Sequence, residues 1–582
     1  MLTFPRTRLH HLAIGLVLFC SLLSGCFSPW VSGDDPAARR EQIKETLQSE
    51  KRPRIIGQIA YERMISLSRV ENVALVTGLP RTGGIVKPSQ PREKLLDIMR
   101  REQSDQPNTY LDAPTTTMVV AHIDAPPAAR RGDIMDAQIQ LSAHSEATSL
   151  QQGWMMETPL VEMSRVGGQL REGFEMATAQ GPIVTAAEIN GSDDPQDQIR
   201  GVIVGGAKLR KSRDLGIGLE PEYADAVTMG YILPAINARF TAFNGRKQAG
   251  IATPLEDSHI KLDVPPRYRL DPFHFVNVVL QIGFNESETQ RLERIETLQK
   301  QLLEPTTVKR ACWQLEALGD KSVPMLAEVL NHPNAEIRFY AAHALAYLND
   351  RRAIVPLTEL AEQFPAFRAM SLNGLTILDH YEAADALSGM LNSSDPETRY
   401  GAVRALRRKD SSDAQVSGRA VGEIGRILEI PTSGTPLVVV SLTQTPEVVI
   451  FGDNPPLTLP SFVYVTPKLL IKTQSDGKLT INHFEPGQDD RQVQVNSDLR
   501  SLLEGIAEVG GTYGNWVSFV RDASSKGYLS VPLAMNPIPQ AGRTFDRSQE
   551  PVFEPGEHFY ENTIGATPPR PAVWYNPLTW TH

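Results

Sequence analysis

Across the first half of the chain, apolar and polar positions mostly alternate with a period of two. In the run Asp133–Leu141, Met135, Ala137, Ile139 and Leu141 share one face, while Asp136, Gln138 and Gln140 share the other. Thr115–Ile123 repeats the pattern, so both runs are expected to be half-buried strands. Between them stands Pro126-Pro127-Ala128-Ala129-Arg130-Arg131-Gly132. The prolines cannot donate ladder hydrogen bonds and Gly132 permits a turn, so the connector is expected to be a loop. From residue 54 to about 282 the pattern stays strand-like, with one clear helix expected in "EPEYADAVTMGYILPAINARF", opened by Pro221 and bent at Pro234.

The period then changes. "SETQRLERIETLQKQLL" opens a helical region that runs to about 412. Within it "LNHPNAEIRFYAAHALAYL" and "LNSSDPETRYGAVRALRRK" align without gaps, placing Leu330 on Leu391, Arg338 on Arg399 and Leu345 on Leu406. Leu318 falls on Leu348 at half that shift. Helix pairs of about 30 residues that bury their apolar faces only by stacking make an α-solenoid, and the pattern resembles HEAT repeats. Strands return in "TPLVVVSLT", "PEVVIFG", "SFVYVTPKLLIKT" and "KLTINHF", followed by a helix pair that Gly527 stops. The expected fold is therefore α+β: a β-rich domain over 54–284, an inserted solenoid over 287–412, and a strand-plus-helix-pair segment over 430–545. Residues 546–582, rich in Pro, Arg and aromatics, lack periodicity and are expected to be a disordered or surface-draped tail.

The first 25 residues change the picture of where the chain works. Arg6, Arg8, His10 and His11 precede an apolar run to Leu23, followed by Leu23-Ser24-Gly25-Cys26. A basic flank and an apolar core of about a dozen residues make a secretory leader, too short to span a bilayer, which needs roughly 20. The four residues before and at the cysteine resemble the lipobox of bacterial lipoproteins, which predicts acylation of Cys26. An outer-membrane attachment is expected because Phe27 follows, and 26–53 reads as a tether. Of the three cysteines, Cys20 leaves with the leader and Cys26 carries lipid, so only Cys312 remains, expected as a buried small apolar residue. The net charge of -10 argues against a general attraction to nucleic acid.

Candidate chemistry is thin. His122-x-Asp124 lacks a second metal-binding partner, and Asp379 in Asp379-His380 is expected to cap a helix. Neither "TGLPRTGG" nor "VIVGGAKLRK" has phosphate-loop spacing, and both are expected to be turns. The cluster Lys208, Arg210, Lys211 and Arg213 reads as a solvated face. No catalytic residue, metal site or cofactor is expected.

The strand-rich segment resembles the flagellar P-ring protein family. "ALVTGLPRTGG", with Gly78 and Gly83, is similar to that family's early glycine motif. Pro126, Pro127, Arg130 and Gly132 match its Pro-Pro-x-Ala-Arg-x-Gly loop, with one arginine where proline is usual. "EATSLQQGWMMETPL" matches a further stretch through Ser149, Leu150, Gly153, Thr158, Pro159 and Leu160, and "ATAQGPIVT" the strand after it. "VVVSLTQTPEVVIFGDN" and the terminal helix pair are similar to the family's later part. The resemblance implies a non-enzymatic, self-assembling periplasmic ring around the flagellar rod, with rod and L-ring proteins as partners. The lipid anchor, the repeats and the tail depart from the family. They leave open a lipoprotein adaptor that binds partners through its repeats, and more remotely a hydrolase using His122 or Asp379. As an insertion, 287–412 is expected to be removable without loss of the ring fold.

Overall fold

The computed structural model describes residues 36–49, 52–101, 106–166, 169–243, 245, 247–484 and 489–547. The leader, Cys26 and residues 548–582 lie outside the described residues.

Six strands close a barrel: β1 (Ser68–Thr77), β2 (Thr117–Ala125), β3 (Ile134–Leu141), β4 (Trp154–Val166), β5 (Gln169–Pro182) and β6 (Arg200–Leu209). The hydrogen-bonded order is β3-β2-β1-β4-β5-β6, and antiparallel pairing of β3 with β6 completes the ring. So narrow a barrel leaves little interior, and alternate inward positions are small: Ala74, Ala121, Ala137, Ala177, Ala179 and Ala207 are all buried. Ala137 and Ile139 of β3 point into this core, as the alternation predicts, with Met135 and Leu141 at its margin. Beside the barrel, a second unit has a four-stranded antiparallel sheet of Ala60–Arg63, Gly216–Leu219, His259–Leu262 and Ala252–Glu256. Helices Ala226–Arg239 and Pro272–Leu280 cover it. Pro234 lies inside the first of these, which Asp225 caps through Val227 N–H.

The solenoid follows as α1 (Val308–Leu318), α2 (Val323–Glu328), α3 (Ala335–Tyr347), α4 (Ile354–Gln363), α5 (Pro365–Ile377), α6 (Tyr381–Gly389) and α7 (Pro396–Lys409). α3 and α7 begin at the positions that the repeat superimposes. Their equivalent arginines both donate to carbonyls of the loop before the helix: Arg338 to His332 O and Pro333 O, Arg399 to Leu391 O. Arg368 of α5 makes a related bond to Ala361 O, in the last turn of α4. Cys312 is buried in α1.

Beyond the repeats, Gly425–Ile430, Glu447–Phe451, Leu437–Val440 and Leu533–Met535 form the centre and one edge of a five-stranded mixed sheet. Its strands are apolar at nearly every position because both faces are covered. Leu428, Ile430, Leu437, Val439, Val449 and Phe451 pack against the solenoid core. Ile427, Val438, Val440, Val448 and Ile450 pack with Trp516 and Phe519 of helix Tyr513–Ser525 and with Val184, Val202 and Val204 of the barrel. Gly527, at φ 71°, ends that helix in the left-handed conformation.

Several expectations are corrected. One face of the following sheet packs into the solenoid's core, which argues against its removal without loss of the fold. Residues 26–53 are not all tether: Pro36–Gln48 is a helix that buries Ile43 and Leu47, and Arg40 reaches Asp225. Asp379 caps nothing; it pairs with Arg267 of the second unit, while His380 occupies the N-cap position. "VIVGGAKLRK" is largely strand, bulged at Gly205. The segment 54–282 also holds helices beyond the expected one, including Gln90–Arg101 over the outer face of β1 and β2.

Candidate assembly site

The sequence motifs fall into three places on the barrel. At one end, Gly78 and Gly83 lie in the loop after β1. Gly78 has φ 77°, and a side chain on Gly83 would collide with the Thr116 carbonyl and stand 2.7 Å from that of Pro114. Gly83 N–H donates to Pro114 O, and the Thr82 hydroxyl donates to Ser149 O at 2.8 Å. The "TGLPRTGG" and "EATSL" motifs, distant in sequence, thus form one surface, with exposed Arg81 on it.

At the other end, the Pro126–Asp133 connector is a hairpin loop joining β2 to β3. Ala128, at φ 57°, and Gly132, at φ 96°, turn the chain. Arg130 sends its guanidinium to Val264 O of the second unit at 2.9 Å, and its N–H bonds to Asp133 Oδ2. Gly132 N–H donates to Leu209 O. Arg213 approaches from the same side, donating to Ala125 O and Ser66 O. The loop is therefore a clasp between the barrel and its neighbour.

Thr158, Pro159 and Leu160 sit in mid-strand on β4. Leu160 points into the barrel and Thr158 is buried. Pro159 has no N–H to give, so the β1–β4 ladder breaks between Glu71 and Val76, and the Asn72 side chain donates to Pro159 O at 2.7 Å instead. Thr158 and Pro159 line a surface groove of about 920 Å³, with Tyr110, Met156, Glu175 and Arg210 among its other walls. Trp154 and Met156 are exposed on this face.

The remaining candidates disperse. His122 faces Glu71 and Gln138 in neighbouring strands, and its pKa is lowered by burial and then by Arg69. The basic cluster is not one solvated face: Arg210 pairs with Glu157, Lys211 lies over the Phe174 ring, and Arg213 is the clasp residue.

Sequence reasoning missed the polar seams between units. At the first, Glu316 of α1 is wholly buried; its carboxylate accepts the Tyr268 O–H at 2.7 Å and His274 Nε2–H at 2.8 Å. Trp313 Nε1–H donates to His274 Nδ1 at 3.1 Å, which fixes the proton of neutral His274 on Nε2. Tyr347 of α3 stacks on both His274 and Tyr268. At the second, buried Glu447 accepts the Tyr400 O–H and pairs with Arg407, both on α7. At the third, Asp136 of β3 accepts the N–H groups of Gly205 and Gln444, each at 2.7 Å, tying the barrel to the C-terminal unit. Burial raises the Asp136 pKa against these bonds. A heptad, repeat or strand pattern carries no trace of such pairs, whose members lie up to 308 residues apart.

Among the described residues no group of three or more His, Cys, Asp or Glu side chains is placed to hold a metal ion. No helix among them is long and apolar enough to cross a membrane.

Comparison with known proteins divides the chain at the start of the helical region. Residues 58–294 match the family model described as flagellar P-ring protein, and 295–363 match HEAT repeats. The flagellar P-ring proteins of Thermotoga maritima and Thermotoga petrophila are each 27% identical over 233 residues, which is 39% of this chain. The aligned region spans 66% of each relative's length. The barrel and its neighbouring unit are thus the part of the chain that is similar to P-ring proteins, and the helices that follow are similar to HEAT repeats.

Proposed function

We propose that the protein is the ring-forming subunit of a flagellar basal-body P ring, or of a closely related periplasmic ring, which surrounds the rod. The observation that carries this reading is the P-ring match over 58–294, whose motif loops the fold gathers into defined surfaces. Copies assemble head to tail, a heterologous contact that closes by rotation. The groove beside Pro159, with exposed Trp154 and Met156, is the surface we assign to that contact. Gly78, Gly83, Pro126, Pro127, Arg130, Gly132, Thr158, Pro159 and Leu160 serve assembly by shaping the barrel ends and this groove, and none is catalytic.

The ring subunit resumes after the repeats, over 430–545. The shared core of Val184, Val202 and Val204 with the C-terminal sheet supports this. Rod and L-ring proteins are the neighbours such a ring would meet. Lipid on Cys26 holds the subunit to the outer membrane, a reading that rests on the lipobox; Cys26→Ala is expected to release the protein from membrane fractions.

The adaptor reading draws on the repeat array, which offers a second binding surface. Deleting the gene and imaging the cell envelope by electron cryotomography separates the two. The ring reading expects basal bodies without the periplasmic ring and loss of motility. Intact rings and normal swimming would leave the adaptor.

A further inference from the structure

The chain's own segment Asn536–Arg547 lies along the solenoid, running against the repeat order. Pro539 meets Gly401 of α7, where a side chain would stand 2.7 Å from the proline ring. Arg543 then forms a two-pronged pair with Glu397 at 2.8 and 2.6 Å. Phe545 inserts beside Phe364 and Phe367 at the start of α5, with ring centroids 5.9 and 4.8 Å away. Arg547 ends the track with a second two-pronged pair, to Glu336 at 2.7 and 3.0 Å, and reaches Pro305 O.

The two glutamates are repeat equivalents. Glu336 and Glu397 are each the second residue of their helix, α3 and α7, separated by the repeat shift. Both sit at helix N-termini, where the preceding caps, Asn334 and Asp395, are already committed to backbone N–H groups. Glu336 is thus left to Arg547, and Glu397, which Arg368 of α5 also reaches at 3.0 Å, takes Arg543 as a second guanidinium. Paired N–H groups meeting both oxygens are a geometry that recognises arginine rather than lysine. Between them α5 has Ala366 at that position, and its phenylalanines supply an aromatic slot. Three successive repeats thus present carboxylate, aromatic slot and carboxylate, and the segment answers with Arg547, Phe545 and Arg543.

We propose that this face of the repeat array is a binding site for extended peptides of the form Arg-x-aromatic-x-Arg, and that the chain's own segment occupies it as an exchangeable latch. A partner protein carrying such a segment would displace the latch. The tethered segment competes at an effective concentration on the order of millimolar, so the resting protein is closed to weak ligands. The proposal concerns the array alone and is independent of ring formation.

The test uses the purified full-length chain and a fluorescent synthetic peptide of residues 536–547, followed by anisotropy. R543A/F545A/R547A, which empties the site, is expected to bind the peptide at least about tenfold more tightly than wild type. Adding E336Q/E397Q to the emptied chain is expected to abolish binding, as is replacing both arginines of the peptide by lysine. Thermal melts check that each variant is folded; where the triple variant is not, R543A/R547A takes its place. A folded, emptied chain that fails to bind the peptide would overturn the proposal. So would equal binding to wild type, or binding indifferent to both glutamates.

Discussion

Replacing residues 287–412 with a short Gly/Ser linker tests how the repeats are built into the molecule. The cut uncovers one face of the C-terminal sheet, where Leu428, Ile430, Leu437, Val439, Val449 and Phe451 are all buried. Exposing six such side chains costs roughly 9–18 kcal/mol at about 1.5–3 kcal/mol each, an upper estimate because unfolded chains are partly compact. The same cut removes Tyr400 and Arg407 from buried Glu447, and Glu316 from Tyr268 and His274. Each orphaned buried group adds about 1–3 kcal/mol. A domain's whole stability is about 5–15 kcal/mol, so the C-terminal unit should not survive. The expected result is a chain that aggregates, or has lost near-ultraviolet circular dichroism and cooperative urea unfolding. Phe451→Ala is the graded version, costing about 3–5 kcal/mol in the intact chain. A soluble truncated protein with a cooperative transition at the wild-type midpoint would refute the shared-core argument and restore the array as a true insertion.

Glu316→Ala should destabilise by about 2–6 kcal/mol in urea titrations, by stranding Tyr268 and His274. Glu316→Gln should cost far less, since one amide oxygen can accept from both. Gly83→Ala should disrupt the β1 end loop because its methyl has no space, whereas Gly132→Ala, in open space at φ 96°, should cost only about 1–2 kcal/mol in thermal unfolding. Burial holds the His343 pKa well below its ordinary value, while the unfolded residue titrates near 6.5. The unfolded state then binds the extra proton, so stability is lost as pH falls below about 6.5, by up to about 1.4 kcal/mol per pH unit. His343→Phe should remove that component, visible as a smaller drop in melting temperature between pH 7 and pH 5.5.

Much of the architecture was legible because it is local. The alternation of β3, the helix after Asp225 and the repeat register of α3 and α7 each follow from side-chain periodicity. The helix Pro36–Gln48 escaped because only Ile43 and Leu47, one turn apart, anchor it in a charged stretch. Gly205 read as turn chemistry, whereas its lack of a side chain serves the close approach of the Gln444 carbonyl from the far end of the chain. Asp379 looked like a cap because its partner, Arg267, lies 112 residues away. The motif loops could be found, but not what they do. That Arg130 clasps Val264, or that Pro159 breaks a ladder which Asn72 repairs, depends on strands meeting across the barrel. The apolar runs "LVVV" and "VVIF" read as strands, but nothing in them names what covers each face, and one cover is the solenoid.

The central claim is that this chain builds a ring at the base of a flagellum. Hook–basal bodies purified from the native cells, with the protein quantified against rod and hook components by mass spectrometry, test it most directly. The account predicts many copies per basal body, lost together with the periplasmic ring density when residues 58–294 are deleted. Their absence from basal bodies that retain a complete periplasmic ring would contradict it.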